Sequence, residues 1–401
     1  MATNYAVSEP TTTAASADTT TRAPLTPLTL LQYLAGSRRA ILQLAESRSA
    51  LWLGLSFVLS AGFAREYDGT DLLHEPWHLV LPLGASLVTS FVLYCLVFLA
   101  TRNRGVQEFK FAAGYRTLLT FYWWTAPLAW IYAIPVERFL SPGDATAANL
   151  WFLAAVSVWR VLLMTRALSV WLGANFVGMF FIVMLFADSV ALVLTAIAPQ
   201  PIFNVMGGIR HSQADSAVLG AMLTTTFFGG LSWLLWLFGA CVVIFSRKPN
   251  WTLSNVGWKS GVQISKSLWI GGLILIGVGF ALLPLGQPEQ QRRSHAEQLL
   301  RSDQLDDAVK YISRFSREDF PPVWDPPPRV GYGEETPSPL EVLSVAERHQ
   351  SPEWVRAFYI EKLSQNPHRA FQIAFRHDGE VDTSAFDRVL SAFEKYVPPE
   401  S

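Results

Sequence analysis

The residues best suited to chemistry stand in a short segment between two apolar runs. His74, Glu75 and His78 form a pattern of two imidazoles four positions apart, with a carboxylate directly after the first. On a helix, residues four apart share one face, so both imidazoles could bind one zinc ion while the carboxylate acts on a zinc-bound water. The pattern raises the hypothesis of a metal-assisted hydrolase.

Pro76 stands between the two histidines and argues against that hypothesis. The pattern resembles the H-E-x-x-H motif of zinc metalloproteases, which needs one helix running through both histidines. Proline in a helix interior costs about 3 kcal/mol, whereas it is well tolerated at the first helical position. The sequence therefore predicts that a helix begins near Pro76 and leaves His74 outside it.

A looser metal site in the same segment is a separate hypothesis. Carboxylates and imidazoles can bind a divalent cation, and the candidate ligands are Asp68, Asp71, His74, Glu75 and His78, with Glu66 close by. The alternative is a polar loop that joins two helices and turns at Asp68-Gly69. We predict no cofactor and keep a divalent metal as the alternative.

Arg160 and Asp188 are opposite charges inside apolar runs. An ionisable residue in such a run is costly and usually faces the interior of a helical bundle. Counting from the outer ends of their runs, both residues lie about 15–16 Å deep. We expect either an ion pair that fixes helix register or a transport or proton-relay role.

The overall composition points to a chain whose middle part is solvated by lipid. Of its 401 residues, 51% are hydrophobic and only 16% are charged, against about 25% charged residues in a soluble domain. The net charge of −1 argues against a nucleic-acid partner. Cys95 and Cys241 both lie inside apolar runs, which excludes a disulfide framework.

Seven apolar runs predict an all-α fold, a polytopic transmembrane helical bundle of about seven spans. A bilayer core needs ~20 apolar helical residues, and the runs are 49–64, 79–100, 115–135, 149–165, 174–197, 218–245 and 268–284. The first run reaches only about 24 Å. It either extends backwards through Ala40 as a continuous helix or lies in the membrane interface.

The basic residues predict an orientation, because cytoplasmic loops keep an excess of Lys and Arg. In a seven-span arrangement, four basic segments fall on one side: Arg38, Arg39 and Arg48; Arg102, Arg104 and Lys110; Arg166; and Arg247, Lys248, Lys259 and Lys266. We therefore expect a multi-pass protein with a cytoplasmic amino terminus and a non-cytoplasmic carboxyl-terminal region.

The apolar region is flanked by two polar ones. Residues 1–28 are rich in Thr, Ala and Ser and predict a disordered tail, followed by the transmembrane region 29–286. Residues 287–401 predict a small soluble helical domain with a Pro-rich linker at 321–339. Ser338, Pro339 and Glu341 form a capping box with Pro at the first helical position.

One segment of the carboxyl-terminal region resembles a known repeat. Through Leu299, Leu300, Leu305 and Ala308, the residues 295–314 resemble one hairpin of a tetratricopeptide-type repeat. A stable array needs at least three repeats, and the sequence offers no second copy at a fixed period. The two readings are a small helical bundle and a surface that binds a peptide partner.

These observations favour a non-enzymatic membrane protein of assembly or organisation, with the bilayer around it and a possible protein partner at 287–401. One alternative is a carrier for a small solute or proton that uses Arg160 and Asp188. Another is the metal-assisted hydrolase at 66–78. A water-filled cavity reaching Asp188 would favour the carrier. Bound zinc would favour the hydrolase, and a dry, packed bundle would favour the assembly protein.

Overall fold

The computed structural model describes residues 24–64, 72, 76–102, 111–134, 136, 139–197, 213–246, 262–286, 288–321, 324, 326–327, 338–365, 387 and 390. The elements in these ranges are helices. The only strand-like pairing within them is a single parallel bridge between Leu25 and Ile264. The all-α class predicted from the sequence is confirmed for this part of the chain.

Four helices are long and apolar enough to cross a bilayer. They are α4 (Leu81–Arg102), α6 (Pro142–Leu172), α7 (Phe176–Ile197) and α8 (Gln213–Phe245). They correspond to the predicted runs 79–100, 149–165, 174–197 and 218–245, with α4 and α7 each beginning two residues later than predicted. Together they indicate a membrane protein.

The first predicted run differs from the expected continuous helix. The chain forms α1 (Pro27–Leu34), α2 (Arg38–Glu46) and α3 (Ala50–Phe63) in succession. Ser47 has an extended backbone, with φ −91° and ψ 117°, and this ends α2. The backward extension through Ala40 is therefore wrong, and α3 is apolar but only 14 residues long.

The predicted run 115–135 is also divided. It consists of α5 (Phe111–Trp123) and a 3-10 helix (Ala126–Ala133). Pro127 lies in the first turn of the 3-10 helix, where its missing N–H is not needed. An α-helix continuing through it would lose a hydrogen bond and clash with the preceding turn.

The last apolar run forms α9 (Lys266–Gly286), which packs in parallel with α3. A Cβ added to Gly272 would lie 2.9 Å from Leu53 Cδ1, so the two backbones are close there. Further along, the rings of Phe63 and Phe280 meet edge to face, with centroids 5.1 Å apart. Residue numbers rise together along both helices, which fixes the parallel direction.

The carboxyl-terminal helices share a separate hydrophobic core. They are α10 (Pro288–Arg301), α11 (Leu305–Ile312), α12 (Pro339–Arg348) and α13 (Glu353–Gln365). The core residues from all four include Leu300, Val309, Leu343 and Tyr359. The capping box at Ser338 is present: its hydroxyl accepts from the Glu341 amide at 3.2 Å.

The α12–α13 hairpin repeats the turn that closes the α10–α11 hairpin. Asp303 and Gln350 both have left-handed backbones, with φ of 59° and 51°. In each turn an amide donates to the carbonyl five residues earlier: Gln304 to Leu299 at 3.0 Å, and Ser351 to Ala346 at 2.9 Å. The capping box at Ser338 predicted the start of the second hairpin, but the likeness of the two hairpins was missed, because residues at matching positions differ in type.

Candidate functional site

α7 and α8 pack against each other in opposite directions over most of their length. Gly178 near the start of α7 faces Val243 near the end of α8, with 3.4 Å from a built Cβ to Val243 Cγ2. Towards the other end, Gly229 of α8 faces Leu192 of α7. Small residues at such contacts let helix backbones approach closely.

Polar side chains bridge α7 and α8 in the middle of this packing. Ser232 Oγ donates to Asp188 Oδ2 at 2.7 Å. One residue further along each helix, Trp233 Nε1 donates to Ser189 Oγ at 2.8 Å. These hydrogen bonds fix the register of the two helices, and they hold the Asp188 carboxylate near the middle of α7.

A groove opens from Asp188 onto the outer surface of α8. Its volume is about 460 Å³, and its lining is Asp188, Thr225, Phe228, Gly229, Leu231, Ser232 and Leu235. The side chains of Phe228, Leu231 and Leu235 are exposed by 62%, 67% and 55%. Asp188 Oδ1 packs against Gly229, where an added Cβ would lie 2.8 Å from it. We call this feature the Asp188 groove.

Asp188 has no cation beside it in the described structure. Among the described residues, no Lys, Arg or His lies within ion-pair distance of its carboxylate, and Ser232 is its hydrogen-bond donor. A carboxylate in an apolar environment is stabilised only by hydrogen bonds and opposite charge. The Asp188 groove therefore combines an exposed apolar surface with a carboxylate that has one hydrogen-bond donor and no cation among the described residues.

Arg160 lies on a different seam of the bundle. It shares the inward-facing stripe of α6 with Val156, Leu163 and Ala167, which are almost fully buried. Its Nε donates to Thr125 Oγ1 at 3.1 Å, and its guanidinium carbon lies 4.9 Å from the centre of the Tyr122 ring. Within the described residues the structure does not bring Arg160 and Asp188 into an ion pair, because Arg160 faces α5 and Asp188 faces α8.

Arg160 instead contacts the break between α5 and the 3-10 helix. Such a break frees backbone carbonyls, which inside a bilayer need other donors. Tyr33 Oη donates to the Phe121 carbonyl at 2.7 Å, and Thr125 Oγ1 donates to that of Tyr122 at 2.7 Å. Pro127 is the local sequence feature that accounts for this break, but the donor Tyr33 comes from α1, far along the chain.

Most of the proposed metal ligands lie outside the described residues, namely Glu66, Asp68, Asp71, His74 and Glu75. His78 is described; it lies in a 3-10 helix that begins at Pro76, and its ring centre is 5.6 Å from that of Trp77. Among the described residues no group of three or more His, Cys, Asp or Glu could hold a metal ion. The metal site therefore stays a prediction.

Two buried charges of the carboxyl-terminal helices, Glu297 and Lys362, have hydrogen-bond partners, whereas the Nε of Arg356 in α13 is buried without one among the described residues. Glu297 accepts from Arg293 Nε at 2.9 Å and from Trp324 Nε1 at 3.0 Å. Lys362 donates to the carbonyl of Pro326. These bonds attach the Pro-rich segment to α10 and α13, so we assign these groups to the stability of the fold.

Comparison of the chain with protein family models, curated proteins and solved structures finds no match.

Proposed function

We propose that this protein is a non-enzymatic membrane assembly protein that holds another membrane segment in the Asp188 groove. The observation that carries the proposal is the Asp188 carboxylate itself, which opens onto exposed apolar surface without a cation among its described neighbours. Charged groups within a bilayer are expensive and usually face a partner or a water-filled cavity. A docked segment would cover the acid and remove that cost.

The proposal includes seven spans, with α3, α5 plus its 3-10 helix, and α9 crossing the bilayer beside the four long helices. The parallel packing of α3 and α9 supports this number. Two spans of one chain are parallel only if the number of crossings after the first, up to and including the second, is even. α4, α6, α7, α8 and α9 alone would make five, so the divided run 115–135 is needed as the sixth.

The amino terminus is then cytoplasmic, and the helical region 287–401 lies on the opposite side of the membrane. The basic residues before α3 and before α9 support this orientation. The two carboxyl-terminal hairpins offer a second surface, available to a protein partner outside the bilayer.

Photo-crosslinking in native membranes tests the assembly proposal. A photoreactive residue at Leu231, in the groove, should give a discrete crosslinked protein species. The matched control is Val158 of α6, which is similarly exposed, by 59% against 67%, but lies away from the groove. Crosslinks only to lipid at both positions would exclude the proposed function.

A carrier for a small solute or proton is the second candidate, favoured by the helix break beside Arg160. Divided helices in transporters supply backbone groups and charges near the middle of the membrane. Proton flux into vesicles containing purified protein, followed with an internal pH dye, tests this candidate. Flux that disappears in both Arg160→Gln and Asp188→Asn would favour the carrier, whereas flux equal to that of empty vesicles would exclude a proton carrier.

A further inference from the structure

We propose that the occupant of the Asp188 groove is a single transmembrane helix with a Lys or Arg near its centre. This inference rests on the proposed function and names the chemistry of the partner. Three features support it: the Asp188 carboxylate in the groove lining, the exposed apolar ridge of α8, and the position of Asp188 near the middle of α7.

The carboxylate lines the groove without a cation among its described neighbours. Ser232 donates to Oδ2, and Oδ1 packs against the buried Gly229 of α8. Asp188 lines the groove of about 460 Å³, and no basic side chain is among the described residues of that lining. An ammonium or guanidinium group in the groove could therefore pair with the Asp188 carboxylate, with Thr225 as a further acceptor on the lining.

The groove also has the form of a helix-packing surface. Its lining on α8 runs from Thr225 to Leu235, which is about 15 Å along the helix axis. Phe228, Leu231 and Leu235 recur at spacings of three and four and make a ridge. Gly229 is itself buried in the α7–α8 contact, so the ridge of exposed side chains is the surface on which a second helix can pack.

The chain's own Arg160 does not fit as the cation from a second copy. Its side chain lies on the inward stripe of α6 and is engaged by Thr125 and Tyr122. A partner helix can bring its own cation to the required depth. Asp188 is near the middle of α7 (Phe176–Ile197), so a residue at the centre of a partner span would meet it.

Designed single-span peptides in phosphatidylcholine vesicles provide the test. Three Leu-rich helices differ only at the central residue, which is Lys, Leu or Glu, and binding to the full-length protein is measured by energy transfer. We expect the Lys helix to bind wild-type protein at least tenfold more tightly than the Leu helix. In Asp188→Asn that preference should disappear, and in Asp188→Lys the Glu helix should bind best.

The control variant is Asp307→Asn, which removes an exposed carboxylate in α11, outside the groove, and should leave the Lys preference intact. Each variant must elute and melt like the wild type. Equal binding of the Lys and Leu helices, or a Lys preference that survives Asp188→Asn, would overturn the inference. Asp188-dependent self-association without peptide would also overturn it, by making a second copy the occupant.

A Leu231 crosslink in native membranes that persists in Asp188→Asn would preserve the proposed function while this inference fails.

Discussion

Arg160 shows how a cation can be accommodated inside an apolar bundle with no carboxylate beside it among the described residues. Thr125 accepts its Nε–H and the Tyr122 ring lies beneath its guanidinium. A cation over an aromatic face gains about 0.5–2 kcal/mol, with more when the pair is desolvated. The same contacts attach α6 to the break between α5 and the 3-10 helix, which gives Arg160 a structural role.

A double-mutant cycle should show this contact directly. We expect a coupling of about 0.5–1.5 kcal/mol between Arg160→Met and Thr125→Val, the range of polar contacts between membrane helices. Between Arg160→Met and Asp188→Asn the coupling should fall below about 0.5 kcal/mol, as for residues that share no contact. The measurement is the free energy of unfolding in bicelles. A large Arg160–Asp188 coupling would restore the ion-pair hypothesis.

A pH-sensitive contact joins the two carboxyl-terminal hairpins. The hydrogen bond from His349 Nε2 to Asp306 Oδ1, 2.6 Å long, holds the pKa of Asp306 below its ordinary value, with Arg348 adding a smaller effect. A carboxyl group whose pKa is lowered by folding contributes stability above its unfolded pKa. That contribution is lost as the pH falls below the ordinary value of 3.8 and through the lower value of the folded state.

Thermal unfolding of the full-length protein in detergent, followed from mild to strong acid, tests this contact. The wild type should lose more stability than Asp306→Asn as the pH falls below 3.8. Asp307→Asn, in the same helical turn, should follow the wild type. Parallel curves for wild type and Asp306→Asn would exclude a stabilising role for the His349 hydrogen bond.

At the scale of helices, the sequence predicts where a helix occurs better than whether that helix is continuous. Long apolar runs predicted α4, α6, α7 and α8 because a bilayer imposes length and hydrophobicity on each span separately. The break at Thr125 depends on distant donors such as Tyr33, and the end of α2 places Ser47 Oγ 3.0 Å from the Val262 carbonyl. Such contacts between segments far apart in the chain leave no local pattern.

The Asp188 groove could be foreseen only in part. An acid inside an apolar run marked Asp188 as exceptional, and the structure places it in the α7–α8 packing. Its hydrogen-bond partner Ser232 and the Gly229 backbone against which it packs belong to α8. Their position depends on the register of two helices, which hydrophobicity alone does not determine.

Glycine-to-alanine substitutions in α8 should lower stability where the helix is closely packed and leave it unchanged where the helix surface is open. A Cβ at Gly239 would lie 2.1 Å from the Phe181 ring, whereas one at Gly230 would meet no atom within 4 Å. We expect Gly239→Ala to cost about 1–3 kcal/mol, as overpacking does, and Gly230→Ala to change little. Unfolding in bicelles measures both. Equal stability of the two variants would contradict the close α7–α8 contact.

At the scale of the whole molecule, the parallel α3–α9 pair and the basic segments support the proposed arrangement. The proposed seven spans would place the amino and carboxyl termini on opposite sides of the membrane. The acidic segment at 66–75 and the carboxyl-terminal helices would then share the non-cytoplasmic side.

Reporter fusions test this arrangement. A reporter active only in the cytoplasm should stay silent when fused after Ser401, because the carboxyl-terminal region is expected outside. The same reporter inserted after Lys248, in a basic segment, should be active. Strong activity after Ser401 would require an even number of spans and contradict the seven-span arrangement.

The pairing of α3 with α9 also bears on how the protein is made. α3 is a short helix near the start of the chain, and its contacts at Leu53 and Phe63 are with Gly272 and Phe280. At ordinary rates of translation, roughly 10 to 40 seconds pass between the synthesis of these segments. During that interval α3 is without its final neighbour, so we expect it to stay beside the insertion machinery or an intramembrane chaperone until α9 emerges.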